Sequence, residues 1–163
     1  ATRDGNGKLR IVPMPPNVGD ILVNTPGTVT EFAWSPSGQD LVVTNASTIY
    51  TVSKTGAVDP VHQPPSGDNV SRLSWSNDGK MILFAIRRLN TSWYEVVDLS
   101  GTLGFTGALK VTDGVSDGEA STYANFGSIA PVWDPAESTA YVLFFNTGGT
   151  PSISKMSLGG LLP

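Results

Sequence analysis

The sequence predicts an all-β protein made of four-stranded antiparallel sheets. The 163 residues include 18 glycines and 12 prolines, and charged residues make up only 15% of the chain. This composition favours many short strands joined by tight turns over long helices. A third observation is a segment that occurs three times: FAWSPSGQDLVVTN from Phe32, LSWSNDGKMILFAI from Leu73 and PVWDPAESTAYVLFF from Pro131.

The spacing of the repeat indicates the architecture. The tryptophans at positions 34, 75 and 133 lie 41 and 58 residues apart. The first interval matches one blade of a β-propeller, about 40–45 residues. The second interval is longer, and the segment from Gly101 to Ser128 is rich in Gly, Ser, Thr and Asp, which indicates an inserted loop. The repeat therefore predicts propeller blades, the second of which carries a long loop.

Each repeat predicts the same succession of strands. After the tryptophan comes a tight turn, in which Pro36 fixes φ and Gly38 and Gly79 permit a positive φ. The next strand is almost wholly apolar, as expected when both faces are buried between neighbouring blades. The predicted second strands are Leu41–Val43, Met81–Ile86 and Ala140–Phe145. The predicted third strands are Thr48–Val52, Trp93–Val97 and Ser152–Met156. The predicted fourth strands are Val58–His62 and Ala108–Thr112. We expect the tryptophans to fill space between blades.

The domain organisation follows from these strands. Residues 1–28 are predicted to hold strands that complete a blade, with a third-type strand at Leu9–Met14 and a fourth-type strand at Asp20–Asn24. Residues 29–67 form a blade, 68–128 a blade with the long loop insert, and 129–163 a blade that ends near its third strand. If the ring of blades closed, the strand at Asp20–Asn24 could complete this last blade. Propellers usually have about four to eight blades. About three blades plus N-terminal strands therefore predict an incomplete propeller.

The turn sequences resemble the TolB-like, WD-related propeller repeat. The match is carried by Trp34-Ser35-Pro36-Ser37-Gly38 and Trp75-Ser76-Asn77-Asp78-Gly79-Lys80, and more loosely by Trp133-Asp134-Pro135. The resemblance implies a propeller fold. It also implies that the chain binds other proteins or shields a catalytic domain carried elsewhere. No active-site residue carries over from that family to this chain.

Charge and composition argue against several partners. The net charge is −4 and the only adjacent basic pair is Arg87-Arg88. A nucleic-acid surface normally needs clustered Lys and Arg, so we expect no nucleic-acid partner. No apolar run approaches the ~20 residues of a membrane span, so we expect no membrane insertion. The chain has no cysteine, which rules out disulfides and thiolate zinc sites.

Residues that could carry catalysis or bind metal are few. His62 is the only histidine, no G-x-S-x-G motif is present, and a loop position is expected for it. The segment Asp4-Gly5-Asn6-Gly7 is read as a hairpin turn in preference to a calcium loop. A solvated acidic loop is expected at Asp113, Asp117 and Glu119. Because no phosphate-cradling loop is present either, we expect no catalytic residue, no metal, no cofactor and no enzymatic activity.

Aromatic residues supply the binding candidates. Trp93, Tyr94 and Tyr123 could form an aromatic platform, since Trp and Tyr are favoured at interfaces. Trp93 and Tyr94 are adjacent, so in a strand they point to opposite faces and one of them belongs to the core. The loop from Gly101 to Ser128, with Phe105, Tyr123 and Phe126, is the most unusual insert. Long loops on a rigid scaffold often carry function.

The sequence as a whole favours a non-catalytic interaction or structural scaffold in a larger assembly. An open end of the propeller would expose strand edges, which predicts a protein partner or self-association that completes it. The alternatives are a virion component, such as a phage tail or capsid-associated protein, and the propeller portion of a peptidase or glycan-processing enzyme. An extracytoplasmic location is expected, in the periplasm, at a cell surface or in a virion.

Overall fold

The computed structural model describes residues 1–12, 19–89, 91–101, 107–110, 131–134, 139–145 and 151–157. Within these ranges the secondary structure consists of strands joined by turns, arranged as four antiparallel sheets. No helix in the described part of the chain is long and apolar enough to cross a membrane. The predicted all-β class is confirmed.

The N-terminal sheet has three strands in the order β1-β2-β3. They are β1 (Thr2–Arg3), β2 (Leu9–Ile11) and β3 (Ile21–Leu22). The β1–β2 turn is closed by Asp4, whose carboxylate Oδ1 accepts the amide N–H groups of Asn6 and Lys8 at 2.9 Å each. β3 pairs with β2, Ile21 opposite Ile11. The strand predicted near Asp20–Asn24 therefore belongs to this sheet, and the expectation that it completes the last blade is corrected.

The other three sheets follow the repeat. The second sheet contains β4 (Glu31–Trp34), β5 (Asp40–Thr44), β6 (Ile49–Ser53) and β7 (Val58–His62) in that order. The third contains β8 (Asn69–Trp75), β9 (Met81–Arg88), β10 (Thr91–Asp98) and β11 (Ala108–Lys110), with β8 and β11 at its edges. The fourth contains β12 (Val132–Trp133), β13 (Thr139–Phe145) and β14 (Pro151–Ser157).

The three repeat tryptophans occupy equivalent places. Each is the last residue of the first strand of its sheet, and each pairs with the residue seven positions later: Trp34 with Leu41, Trp75 with Ile82 and Trp133 with Ala140. The predicted repeat is thus present in the structure.

Among the residues that the structure describes, two apolar clusters lie between successive sheets. Leu41 and Val43 of β5 join Leu9 and Ile11 in a cluster between the N-terminal and second sheets. Val42, the intervening residue of β5, joins a cluster between the second and third sheets. Alternate side chains of one strand are therefore buried on opposite faces. This explains why the second strands read as unbroken apolar runs.

The turns after β4 and β8 are each held by a buried serine. Ser76 donates its amide N–H to the Met81 carbonyl at 2.9 Å, and its Oγ accepts the Met81 amide at 2.9 Å. Ser35 makes the same pair of bonds with Asp40, at 2.8 and 3.2 Å. Partial burial opposes ionisation of Asp78, but the Ser76 hydroxyl and the Lys80 amide donate to its carboxylate and lower its pKa. The serine of the Trp-Ser motif is therefore a structural residue.

The tryptophans differ in burial. Trp75 is 9% exposed and Trp133 is 6% exposed. Trp75 packs into the cluster between the second and third sheets, as predicted. Trp34 is 39% exposed, so the prediction that each tryptophan fills space between blades is wrong for this residue. The physical reason is that Trp34 faces the N-terminal sheet, whose described strands include no counterpart of β4.

Candidate functional site

The strongest candidate site is built around Trp93 on the third sheet. Trp93 is opposite Ile86 of β9, and its side chain packs against the cluster between the second and third sheets. One part of the indole is buried and the rest is accessible. Trp93 Nε1 donates to Glu95 Oε1 at 2.7 Å, which fixes the ring against the strand.

Two cations flank the Trp93 ring. The Arg88 guanidinium carbon and the Lys110 ammonium nitrogen each lie 5.6 Å from the ring centroid, within cation–π range. Arg88 pairs with Thr91 and Lys110 with Glu95, so both cations are diagonal cross-strand neighbours of Trp93. Together with Glu95 they line a pocket of about 370 Å³.

Arg88 is oriented by a second contact. Its Nη2 donates to Asp68 Oδ2 at 2.7 Å, and its Nε donates to Asp68 Oδ1. The hydrogen bonds and charge of the buried Asp68 carboxylate raise the pKa of Arg88. A two-point contact of this kind fixes the plane of the guanidinium. The cation over Trp93 is therefore held in position by the protein.

His62 lies on the buried side of the same site. It is the last residue of β7, its ring centroid is 5.7 Å from that of Phe84, and its Nε2 is 3.7 Å from Glu95 Oε2. Nε2 is buried and has no hydrogen-bond partner among the described residues. Burial lowers the pKa of His62, and the Glu95 carboxylate opposes this effect. The expected loop position for His62 is corrected, because the residue ends a strand and packs between two sheets.

The remaining predicted binding residues do not join this site. Tyr94 faces the opposite side of β10 and is 1% exposed. Its burial raises the pKa of the phenol to about 12. Tyr94 is thus a core residue, and its place in the predicted platform is corrected. Phe105, Tyr123 and Phe126 lie outside the described residues, as do Asp113, Asp117 and Glu119.

Sequence reasoning missed Arg88 and Lys110 as partners of Trp93. The signal that could have found them is strand register. The pairing of β9 with β10 places Arg88 opposite Thr91, two residues before Trp93 and on the same face. The position of Lys110 beside Trp93 follows from the pairing of β10 with β11, the fourth strand of the sheet.

A second concavity of about 660 Å³ lies between the turns that carry the serines of the second and third sheets. Asp40, Asn77 and Asp78 are among its lining residues. Asn77 Nδ2 donates to the Asp134 carbonyl at 2.7 Å and so links the third and fourth sheets. No group of three or more His, Asp or Glu side chains suited to hold a metal ion occurs in the described ranges.

Several proteins of known structure resemble this chain in fold. No protein-family model and no curated protein matches the chain. TolB from Acinetobacter baumannii matches in structure with a TM-score of 0.63 and 20% identity, over 93% of this chain and 35% of that protein. An oligogalacturonate lyase in complex with manganese matches with a TM-score of 0.62 and 16% identity, over 91% and 39%. The β-propeller domain of Cps50 (Swd1) from Myceliophteria thermophila matches with a TM-score of 0.60 and 13% identity, over 93% and 45%.

The chain spans between about a third and a half of the length of these structures. At such low identity the likeness concerns the fold. The stacked four-stranded sheets, the repeated Trp–Ser turn and these matches agree with one another. The chain has the fold of an incomplete β-propeller, and the resemblance to TolB-like and WD-related propellers is confirmed at the level of the fold.

Proposed function

We propose that this chain is a non-catalytic interaction or structural element of a larger assembly, and that it contacts a partner protein through the Trp93 site. One observation carries the proposal: Trp93 is a partly exposed indole in cation–π contact with both Arg88 and Lys110, and all three side chains line one pocket. Trp and Arg are the side chains most enriched among residues that dominate binding energies.

The rigidity of the site supports this role. Trp93 is fixed by Glu95 and Arg88 is fixed by Asp68, so both side chains lose little conformational freedom when a partner binds. A partner that places a carboxylate near Lys110 and an apolar group against Trp93 would match the charges and the accessible ring. An acidic loop or an acidic peptide on a protein surface has this chemistry.

Site-specific photo-crosslinking tests the proposal. A photoreactive amino acid is placed at position 110 of the full protein in its source cell. The partner protein in the crosslinked adduct is identified, and that partner is then purified and titrated against the chain without the crosslinker. The matched control carries the same group at position 54, an exposed lysine in the turn between β6 and β7. We expect one partner at position 110 only. Trp93→Ala should weaken the purified complex by at least about tenfold.

Folding and binding are separated by a second variant. Lys110 is exposed, so Lys110→Glu reverses a charge at the pocket without opening the core. It should weaken the complex while the chain stays folded, with only a small decrease in melting temperature from the like charge of Glu95 on the opposite strand. If neither Trp93→Ala nor Lys110→Glu changes the affinity for the crosslinked protein, the Trp93 site is not the contact.

The proposal includes an extracytoplasmic location, in the periplasm, at a cell surface or in a virion, in keeping with the resemblance to TolB-like propellers. Cell fractionation with markers for each compartment tests it. A virion component and the propeller portion of a peptidase remain alternatives within this proposal, and the sequence of the complete gene separates them.

A second candidate is the propeller portion of a glycan-processing enzyme. An indole beside Arg88 and Lys110 also suits a sugar that carries a carboxylate, and the fold is similar to that of an oligogalacturonate lyase. Titration with an oligogalacturonate, followed by the indole N–H signal of Trp93, tests this candidate. A saturable shift that Lys110→Glu abolishes favours it, and no shift argues against it.

A further inference from the structure

The β9–β10 hairpin is longer than the corresponding hairpin of the second sheet. Leu41 of β5 and Ile82 of β9 are equivalent positions, because each pairs with the repeat tryptophan of its sheet. β5 ends at Thr44, three residues after Leu41, whereas β9 ends at Arg88, six residues after Ile82. At about 3.3 Å per residue, β9 extends about 10 Å further from the Trp–Ser turn. The end of this hairpin, which carries Leu89, therefore projects beyond the level at which β5 ends.

Leu89 has an environment that is unfavourable for a leucine. Its side chain is 86% exposed, the largest exposure among the large apolar side chains in the described ranges. Its φ is 50°, in the left-handed region, where glycine and asparagine are the usual residues and a bulky side chain is unfavourable. A residue that is held at such a local cost is a candidate for a functional contact.

Arg87 gives this end of the hairpin a positive charge. Its side chain is exposed, lies on the opposite face of β9 from Arg88 and forms no ion pair with another described residue. Arg88, in contrast, is bonded to the buried carboxylate of Asp68. The hairpin end therefore presents an apolar side chain next to an unpaired cation, and a complementary surface needs apolar contacts and a carboxylate.

The same chain carries such a surface, in the concavity of about 660 Å³ between the Trp–Ser turns of the second and third sheets. Pro36, Trp75 and Leu99 contribute apolar atoms to its lining, and Leu99 is 37% exposed. Asp40 and Asp78 contribute carboxylates. The concavity thus combines an apolar lining with negative charge.

The negative charge of the concavity is only partly balanced. Lys80 Nζ lies 3.8 Å from Asp78 Oδ2 and offsets the charge of that residue. Asp40 forms no ion pair within the part of the chain that the structure describes. An unpaired anion in the concavity therefore matches the unpaired cation Arg87 at the hairpin end.

The hairpin end and the concavity lie at opposite ends of β9. The Ser76 turn beside the concavity is bonded to Met81, the first residue of β9, and Leu89 follows the last. The eight residues of β9 span about 25 Å, so the two surfaces of one copy are too far apart to meet. They can meet only between copies of the chain.

We propose that Leu89 of one copy inserts into this concavity of a second copy, with Arg87 placed against Asp40. The contact goes beyond the proposed function and is separate from the Trp93 site. It is heterologous, because two different surfaces meet. Each pair of copies therefore retains one free hairpin end and one free concavity, and association continues head to tail beyond two copies.

A second copy accounts for these observations better than other partners. The phosphate backbone of a nucleic acid would pair with Arg87 but would leave Leu89 without an apolar contact. An unrelated protein would account for the hairpin end and would leave the complementary concavity without a role. A second copy uses both surfaces.

Sedimentation velocity of the full chain at increasing concentration tests the proposal. The wild-type chain should form a series of oligomers. Leu89→Asn introduces a residue that accepts a left-handed φ, so the melting temperature should stay the same or rise while self-association weakens at least about tenfold. Leu22→Asn removes another exposed leucine, on β3, and should leave self-association unchanged.

A second variant tests the concavity. Asp40→Lys reverses its unpaired charge and should also weaken self-association about tenfold. Asp40→Asn, which keeps the size of the side chain, takes its place if the lysine variant does not fold. A mixture of Leu89→Asn with the Asp40 variant is the most specific test, since the first keeps an intact concavity and the second an intact hairpin end. The mixture should form pairs, with one copy of each variant, that do not grow further.

Three results would overturn the inference. They are a folded wild-type chain that stays monomeric at every concentration, self-association that Leu89→Asn does not weaken, and a mixture of the two variants that forms no pairs. The last result would mean that Leu89 contacts a different surface. The samples contain this chain alone, so the outcome does not depend on whether crosslinking from position 110 finds a partner for the Trp93 site.

Discussion

Trp75 Nε1 donates a hydrogen bond to the carbonyl of Ala33, 3.1 Å away and 42 residues earlier in the chain. The bond joins the ends of the first strands of two neighbouring sheets. Ala33 packs against the apolar cluster that contains Trp75, and Trp75 is nearly buried there. The bond is partly buried, so water can replace the lost indole donor at the Ala33 carbonyl only in part.

Trp75→Phe should therefore destabilise the fold. The change removes the donor to Ala33 and leaves a smaller ring in the cluster between the sheets, with an expected loss of about 2–3 kcal/mol. Trp34→Phe is the matched control, since its ring is 39% exposed, and it should cost less than about 0.5 kcal/mol. Urea denaturation of both variants measures the difference. Equal losses would show that the Ala33 bond does not hold the sheets together.

Ser76→Ala should weaken the turn after β8. The Ser76 hydroxyl accepts the Met81 amide and donates to Asp78, and the residue is buried. Without it, a buried amide loses its partner, at a cost of about 1–3 kcal/mol. Ser66→Ala, at an exposed turn, is the control and should stay within about 0.5 kcal/mol of the wild type. Thermal denaturation monitored by circular dichroism reads out both, and a neutral Ser76→Ala contradicts the structural role given to this serine.

The local features of the fold were predictable from the sequence, because they are set by short-range chemistry. The strand at Val58–His62 is observed at its predicted position, and Met81–Ile86 lies within the observed β9. The turn at Asp4 and the turns at Ser35 and Ser76 depend on residues within five positions of one another. The exposure of Trp34 was not predictable, since it depends on which strands the neighbouring sheet contains.

The candidate site was predictable in part. Adjacency placed Trp93 and Tyr94 on opposite faces of a strand, and the structure buries Tyr94. The two cations over Trp93 come from other strands, so their positions depend on cross-strand register. Register is set by how whole strands pair, and a one-residue shift would move Lys110 to the other face. Spacing along the chain alone does not contain this information. The bounds of the four predicted segments, and the part of the site assigned to Phe105, Tyr123 and Phe126, remain predictions.

Gly79→Ala should be destabilising for a backbone reason alone. Gly79 has a φ of 72°, and the nearest atom to an added Cβ would be Pro36 Cδ at 3.9 Å, an ordinary contact. An L-residue held in the left-handed conformation should lower the free energy of unfolding by about 1–2 kcal/mol. Gly5→Ala is the control, because its φ is not in that range and no atom lies within 4 Å of the added group. It should be neutral or slightly stabilising. A denaturant midpoint for Gly79→Ala equal to that of Gly5→Ala would show that the turn changes conformation to accept alanine.

Stability should decrease as the pH falls through the range in which His62 titrates. Burial between β7 and Phe84 lowers the pKa of His62 in the folded chain below its ordinary value of 6.5. Below pH 6.5 the unfolded chain therefore binds more protons than the folded chain, and acidification favours unfolding. His62 contributes fully above pH 6.5, and the contribution is lost as the pH falls toward the folded pKa. Urea denaturation at steps between pH 7.5 and about pH 5 measures this dependence. Ordinary carboxylates are still largely ionised over this range, so they contribute little to the change.

Two variants isolate the His62 contribution. His62→Gln has no titrating group at this position, so its free energy of unfolding should vary less with pH over the same interval. Glu95→Gln keeps an acceptor for Trp93 Nε1 but removes the charge 3.7 Å from His62 Nε2. Because that charge opposes the effect of burial, its removal should lower the pKa of His62 further and extend the acid-induced loss to lower pH. A wild-type chain that becomes more stable below pH 6.5, with His62→Gln removing the gain, would mean that the Glu95 charge outweighs burial at His62.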